Sequence, residues 1–372
     1  MEMIYKEDWE QAQERLDAWW HGAVIDRAVI LVTAPREGIP FEKWTALSRP
    51  DKSTPERYLS WHTDPAQVIP RLERQVAATF WGGEAMPMAF PVSISMVAIT
   101  AAYLGCPYRL IPESDSAWAD PIIDDWEKRP HFSYNPESPW WIMSRELLDA
   151  AAREADGKYY VSLPDLNGPS EIVALLRGTQ PLLIDLLERP QEVKAAIDEV
   201  TVAWHRYWQA ANGIIHQHIG DYMFWMGIWS DRPAIDLQSD ISCMISPRLF
   251  DEVILPSLEQ QTQWVERTIY HLDGPGAIAH LESLLALPRL SGIQWIQGAG
   301  APPTSRWIRL LRRIQAKGKL LVLNCEPWEV ETLLTELEPE GLLLNTTCRS
   351  EAQARELLAN AVRWTAHRQW VI

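Results

Sequence analysis

Paired cysteines, long apolar runs and an excess of positive charge are all missing from this sequence. The four cysteines lie far apart and form no C-x-x-C pair, which argues against a disulfide framework. No uninterrupted apolar run approaches the roughly 20 residues of a membrane-spanning helix. The 34 Lys and Arg residues are outnumbered by 50 Asp and Glu, giving a net charge of −16. A nucleic-acid partner requires clustered cations, so neither nucleic acid nor membrane is an expected partner.

The first residues of the chain bear on its localisation. The stretch MEMIYKEDWEQ is charged from the second residue and does not read as a signal peptide. Together with the unpaired cysteines, this predicts a soluble protein of the reducing cytoplasm. Hydrophobic residues make up 47% of the chain, which is enough for a full core.

Helical spacing marks the start of the chain. Trp9, Leu16 and Trp20 recur on one face between charged residues, which predicts an amphipathic helix over residues 6–21. This helix forms an N-terminal extension, residues 1–26, outside the main fold.

The remaining residues, 27–372, show alternating strand and helix patterns. Such alternation predicts right-handed crossovers and a parallel sheet. No G-x-G-x-x-G turn follows a strand, so a dinucleotide-binding sheet is not expected. The predicted fold is a single (β/α)₈ TIM barrel with a long irregular insertion at about 36–150. Its eight candidate strands lie near residues 28, 90, 160, 223, 268, 294, 321 and 343.

Polar side chains follow most of these strands. A TIM barrel carries its active site at the carboxyl ends of its strands. His271 and Asp273 are two residues apart in an extended segment, so both side chains can face the barrel mouth. The other candidates are Asp165 and Asn167 after strand three, Gln238 and Asp240 in the loop beyond strand four, Gln294, Trp295 and Gln297 on strand six, Cys325 on strand seven, and Cys348 on strand eight.

Several of these residues also have purely structural interpretations. Asp273 precedes Gly-Pro-Gly and would suit a helix cap as well as a metal ligand. His271 could be a half-buried histidine whose hydrogen bonds are satisfied. Cys348 could be a small buried hydrophobe, the usual fate of a free cysteine. Cys325 and the following Glu326 are rival ligands.

From LPDLNGPSEIVALLRG onward, the sequence resembles the uroporphyrinogen decarboxylase superfamily. The resemblance rests on the order and spacing of LLERPQEV, SDISCMISPRLFDEVILPSLE, YHLDG and GLLLNTTCRSEAQARELL over roughly 200 residues. That superfamily is a (β/α)₈ barrel. It includes the decarboxylase of haem synthesis and methyltransferases that pass a methyl group from a corrinoid protein to a thiol.

Two departures separate this chain from the decarboxylase branch. The decarboxylase has a Met-Arg-Gln-Ala-Gly-Arg signature after its first strand, and here VTAPREG keeps only Arg36. The decarboxylase also carries a key aspartate on its second strand, whereas FPVSISMVAI has no acid. The resemblance therefore implies a methyltransferase-like enzyme. A decarboxylase-type enzyme and a non-catalytic barrel that binds a tetrapyrrole or corrinoid are the alternatives.

The thiol-directed methyltransferases also suggest a metal site. They bind zinc through His-x-Cys and a second cysteine roughly 75 residues later. Here His271, Asp273 and Cys348 occupy the matching positions, with aspartate replacing the first cysteine. Carboxylate is a harder zinc ligand than thiolate. If a corrinoid takes part, it arrives on a separate protein, because no corrinoid-binding segment is recognisable here.

The resemblance and the strand ends together give a full set of expected roles. His271, Asp273 and Asp240 are expected to be catalytic. His271, Asp273 and Cys348 are expected to bind zinc. A small-molecule substrate is expected to contact Asp165, Asn167, Gln238, Gln294 and Trp295.

Overall fold

The computed structural model describes residues 3–366, a mixed α/β fold with thirteen strands. In chain order the strands are β1 Val29–Pro35, β2 Thr79–Gly83, β3 Met88–Ala89, β4 Tyr108–Ile111, β5 Ser116–Ala119, β6 Tyr160–Val161, β7 Tyr222–Met223, β8 Trp229–Ser230, β9 Ala234–Gln238, β10 Arg267–Asp273, β11 Gly292–Ile296, β12 Leu320–Asn324 and β13 Leu342–Thr347.

The α-helices alternate with the strands in the C-terminal half, as the sequence pattern predicts. They are α1 Trp9–Trp20, α2 Phe41–Ala46, α3 Pro55–Thr63, α4 Pro65–Ala78, α5 Ile99–Tyr103, α6 Pro139–Glu154, α7 Pro169–Arg177, α8 Thr179–Glu188, α9 Pro190–Ile215, α10 Pro247–Leu249, α11 Leu255–Trp264, α12 Gly274–Ala277, α13 Leu281–Ala286, α14 Ile308–Gln315, α15 Val330–Glu336 and α16 Glu351–Ala366. None of the helices within residues 3–366 combines the length and apolarity needed to cross a membrane.

Seven strands form the central sheet, in the order β2-β1-β13-β12-β11-β10-β9. Every neighbouring pair is parallel except β1 with β2, which is antiparallel. The strands are almost entirely buried; β12, for example, exposes only its last residue, Asn324. Parallel strands that are covered by helices on both faces have nearly continuous apolar sequences. This pattern allowed several of these strands to be predicted from the sequence.

Short strand pairs accompany the central sheet. β3 pairs in parallel with β6, and β7 pairs with β8 as an antiparallel hairpin. A backbone hydrogen bond connects the two pairs. The amide of Leu163, shortly after β6, donates to the carbonyl of Met223 in β7 over 3.0 Å. The overall arrangement is barrel-like.

The structure corrects the predicted position of the fourth strand. The segment near residue 223 forms only the short β7–β8 hairpin, whereas β9, Ala234–Gln238, pairs in parallel with β10. The sequence pattern predicts a loop at the end of β9. In this strand an acid and an amide alternate with apolar residues, because one face of the strand turns toward a polar interior.

The insertion predicted at about 36–150 is also more ordered than expected. It contains helices α2 to α6 and strand β2, which lies antiparallel to β1. The predicted N-terminal helix is confirmed as α1, Trp9–Trp20, whose residues Ala12, Leu16, Trp19 and Trp20 are buried.

Candidate metal centre

Asp240, His271 and Asp273 come together at the carboxyl ends of two neighbouring strands. Each offers one ligand atom, and these atoms all lie within 4.8 Å of one another. His271 and Asp273 close β10, and Asp240 follows β9. The pairing of β9 with β10 therefore brings together residues that are more than 30 positions apart in the chain.

The ring of His271 is held in one orientation by a residue of the next strand. Its Nδ1 lies 2.6 Å from Oε1 of Gln294, its register partner on β11. An amide oxygen only accepts, so Nδ1 carries the hydrogen and donates it. This arrangement leaves the lone pair on Nε2 free to bind a cation, as in many metal sites where a second residue fixes the histidine tautomer.

A helix start and a buried histidine hold the loop that carries Asp240. Asp240 opens a 3₁₀ turn, Asp240–Met244, and its backbone amide donates to the carboxylate of Glu171 in the first turn of α7. The same carboxylate accepts from the amide of Gly168 over 3.1 Å. At the other side of the turn, Nε2 of His280 hydrogen-bonds to the carbonyl of Ser242 over 2.8 Å.

Further carboxyl groups surround the cluster and accumulate negative charge. Burial raises the pKa of Asp236 to about 8, and the charge of Asp165 adds to the effect. Burial also raises the pKa of Asp165 and raises that of Glu171 well above its usual range, and the charge of Asp240 contributes to both shifts. The ring of His271 opposes these effects at Asp165. Because these carboxyl groups lie close together, their surroundings favour either protonation of some of them or the binding of a cation.

The donor set suits a divalent metal ion. It offers one imidazole nitrogen and two carboxylate groups, a combination that zinc and other borderline cations accept. Burial raises the pKa of Asp240, and the neighbouring charge of Asp273 raises it further, while the His271 ring lowers it. A bound cation would relieve this mutual repulsion by stabilising both carboxylates in their charged forms.

Cys348 does not join this cluster. Its side chain is fully buried in the hydrophobic core, and burial raises the pKa of its thiol to about 11. Asn345 and Thr347, on the last strand β13, line a pocket near the cluster. Cys348 follows Thr347 directly but does not line this pocket. Neither Cys325 nor Glu326 belongs to the group, and burial raises the pKa of the Cys325 thiol.

The predicted substrate-binding residues divide into two groups. Gln238 and Gln294 flank His271 on the adjacent strands, at the same register level. Nε2 of Gln238 donates to Oδ1 of Asp165 over 3.0 Å, and the amide of Asn167 donates to the same oxygen over 2.9 Å. Trp295 is different. It is fully buried and packs against Trp307 ahead of α14, on the face opposite Gln294, so it does not reach the mouth.

Three residues near the centre were not assigned a role from the sequence. Glu171 and Asp236 add carboxyl groups, and Trp225 packs edge-on against His271 with ring centroids 5.5 Å apart. Alternate positions in AIDLQ could have shown that Asp236 and Gln238 share a face. The Gly-Pro-Ser-Glu start of α7 is a helix-start signal that could have drawn attention to Glu171.

Close packing at Gly168 gives a testable consequence for this centre. A Cβ atom at this position would lie 1.9 Å from the carbonyl oxygen of Gln238 and 2.8 Å from its carbon. We expect Gly168→Ala to displace the end of β9, on which Asp240 depends, and to cost about 3 kcal/mol or more of unfolding free energy. Chemical denaturation would measure this loss.

Gly213→Ala is the matched control. Gly213 lies inside α9, and a Cβ there would meet nothing within 4 Å. Alanine should stabilise that helix by about 0.5–1 kcal/mol. If both variants unfold like the wild type, Gly168 does not constrain the site.

Comparison with known proteins gives a structural likeness. No family model matches this sequence, and no curated protein matches it either. Sixteen chains of solved structures match. One of them is a methyltransferase from Methanosarcina mazei, with a TM-score of 0.64 and 13% sequence identity over 95% of this chain and 98% of that chain. At this identity the likeness shows a shared fold.

Proposed function

We propose that this chain is a methyltransferase-like enzyme of the uroporphyrinogen decarboxylase superfamily, acting with a metal ion at the mouth of a closed (β/α)₈ barrel. The observation that carries the proposal is the Asp240–His271–Asp273 cluster at the carboxyl ends of β9 and β10. A fold shared with a methyltransferase across nearly the whole chain supports it. The proposed barrel begins at residue 27 and is preceded by the helical extension; the outer bounds expected from the sequence, residues 1 and 372, lie outside the described residues 3–366.

In this proposal Asp240, His271 and Asp273 hold zinc, and Cys348 is not a ligand. When bound, zinc supplies Lewis acidity and lowers the pKa of a coordinated water or substrate group. Two carboxylates leave the ion more electrophilic than two thiolates would. This favours an oxygen-bearing methyl acceptor or donor over a thiol.

The chain's own residues prepare the site. Gln294 fixes the tautomer of His271, which leaves the lone pair of Nε2 available to a metal ion. Glu171 anchors the backbone of Asp240. Asp236, with a pKa of about 8, retains a proton at neutral pH and so reduces the negative charge behind the cluster. Trp225 shields one side of the His271 ring from water.

The proposed methyl carrier is a corrinoid on a separate protein. In an assay, free methylcobalamin takes the place of that carrier. The reaction is followed by visible absorbance, because loss of the methyl group changes the spectrum of the corrin ring. We expect the zinc-loaded chain to demethylate methylcobalamin in the presence of a suitable oxygen-bearing acceptor. Protein stripped with a chelator should be inactive, and added zinc should restore the activity.

Two outcomes would contradict the proposal. Release of CO₂ from uroporphyrinogen at an enzymatic rate would identify a decarboxylase. Corrinoid binding that is unchanged in a His271→Ala variant, without methyl loss under any condition, would indicate a binding protein without catalytic activity.

A further inference from the structure

A partly open pocket with a volume of about 490 Å³ adjoins the candidate metal centre. Its volume falls in the range of small-molecule sites. Trp225 lines it and also packs against His271, so the cavity reaches the metal centre at that ring. Most of the remaining wall is apolar. The large aromatic side chains on it are Trp44, Trp61, Trp81, Phe90 and Trp225.

Among residues 3–366, Arg71 from α4 is the only formally charged side chain that lines this pocket, and no Asp or Glu in that range lines it. This is unexpected in a chain of net charge −16. Arg71 is 9% exposed. Within residues 3–366, no carboxylate oxygen lies within 4.0 Å of its guanidinium, whereas the other two buried arginines in that range, Arg27 and Arg267, each pair with a carboxylate.

The neighbours of Arg71 position its side chain without neutralising it. The guanidinium lies over the ring of Trp61, 4.4 Å from the centroid, and Nη2 donates to the Trp61 carbonyl over 3.1 Å. Nε is buried and has no hydrogen-bond partner among the described residues. An unpaired buried cation is costly, so this arrangement needs a compensating anion or costs the fold stability.

His62 is the second polar group on the same wall. It is 3% exposed, and neither ring nitrogen has a hydrogen-bond partner among the described residues. Burial lowers its pKa to about 4, and the charge of Arg71 contributes, so the ring is neutral at pH 7 and offers one N–H donor. Nearby Lys52 is already opposed by Asp115 at 3.9 Å.

We propose that Arg71 and His62 form an anion subsite that binds the carboxylate of a small, mostly apolar molecule lying in this cavity. One full positive charge and one neutral donor match a monoanion better than the dianion of a phosphate ester. A guanidinium offers paired N–H groups that fit a carboxylate. The aromatic wall accommodates the body of the molecule, and its far end reaches Trp225 beside His271.

The assignment of this molecule as methyl donor or acceptor rests on the proposed function. Carboxylate binding at Arg71 does not depend on the proposed function, and it can be tested without any catalytic turnover. Isothermal titration of the metal-free protein with benzoate and with benzamide, its neutral isostere, isolates the contribution of the charge. We expect benzoate to bind at least about tenfold more tightly than benzamide.

The matched variants are Arg71→Met and Arg74→Met. Both residues lie on α4, but Arg74 is exposed and does not line the cavity. Arg71→Met should lose the preference for benzoate while raising the thermal midpoint by about 2 °C, because it removes an unpaired buried charge. Arg74→Met should bind benzoate like the wild type. A purely structural Arg71 would instead lower the midpoint and leave binding unchanged.

Three outcomes would overturn the subsite. The first is equal binding of benzoate and benzamide to the wild-type protein, a comparison that stands even when Arg71→Met does not fold. The second is an Arg71→Met variant that keeps the full preference for benzoate. The third is tighter binding of phenyl phosphate than of benzoate, which would contradict the carboxylate assignment. Methyl-transfer assays bear on none of these results, so a failed proposed function leaves the test intact.

Discussion

His271→Ala is expected to remove bound metal and methyl transfer together. His271 supplies the cluster's only nitrogen ligand, and two carboxylates alone hold zinc poorly. Removing residues that merely orient metal ligands already costs about 10–100-fold in affinity, so we expect a loss of more than about 100-fold here. Metal analysis after gel filtration and the methylcobalamin assay would measure the two effects.

Two further variants show whether the loss follows the proposed ligand set. Gln294→Ala removes the hydrogen bond that orients His271 and should weaken zinc by about 10–100-fold without abolishing binding. Cys348→Ala should retain both metal and activity, because its thiol is buried away from the cluster. Loss of metal in Cys348→Ala together with a normal metal content in His271→Ala would contradict the assignment.

Glu84→Ala should destabilise the whole fold by about 3–5 kcal/mol. Glu84 is fully buried and accepts two hydrogen bonds from Arg27, at 2.8 and 2.7 Å, and one from the amide of Ile30 at 2.8 Å. Its removal leaves the Arg27 charge buried without a carboxylate, with only the hydrogen bond from Nη1 to the carbonyl of Ala28 remaining. Because Ile30 lies on β1, this network connects β1 to the segment that follows β2. Urea denaturation would measure the loss.

The matched control uses a surface ion pair. Arg248 and Glu252 pair at 3.2 Å with both side chains exposed, so Glu252→Ala should change stability by no more than about 1 kcal/mol. The double variant Arg27→Met, Glu84→Leu should recover at least about half of the loss, because no unpaired charge remains. A loss of under about 1 kcal/mol in Glu84→Ala would show that the pair does not stabilise the fold.

Several strands of the C-terminal half, although not β9, could be predicted because burial on both faces gives them mostly apolar sequences. The run LLVLN, for example, predicted β12, Leu320–Asn324. The convergence of His271 with Asp240 also follows from sequence, since parallel strands bring their carboxyl ends to one edge. The fold likeness supports the α/β assignment at the level of architecture.

Cys348 and Trp295 show where sequence reasoning was insufficient. Both lie at strand ends, but whether a side chain faces the cavity depends on single-residue register. Gln294 and Trp295 are consecutive, so only one can face the mouth, and the structure places Gln294 there. The spacing that suggested Cys348 as a ligand contains no information about register. β9 was missed because Asp236 and Gln238 make a buried strand look like a polar loop.

Crystals soaked in zinc would test the central claim most directly, through anomalous scattering collected at the zinc absorption edge. We expect one strong peak bonded to Nε2 of His271 and to carboxylate oxygens of Asp240 and Asp273, at about 2.0–2.2 Å. Cys348 should remain packed in the core without contact to the ion. A peak on the sulfur of Cys348 or Cys325, or no peak near His271 at saturating zinc, would contradict the proposed metal centre.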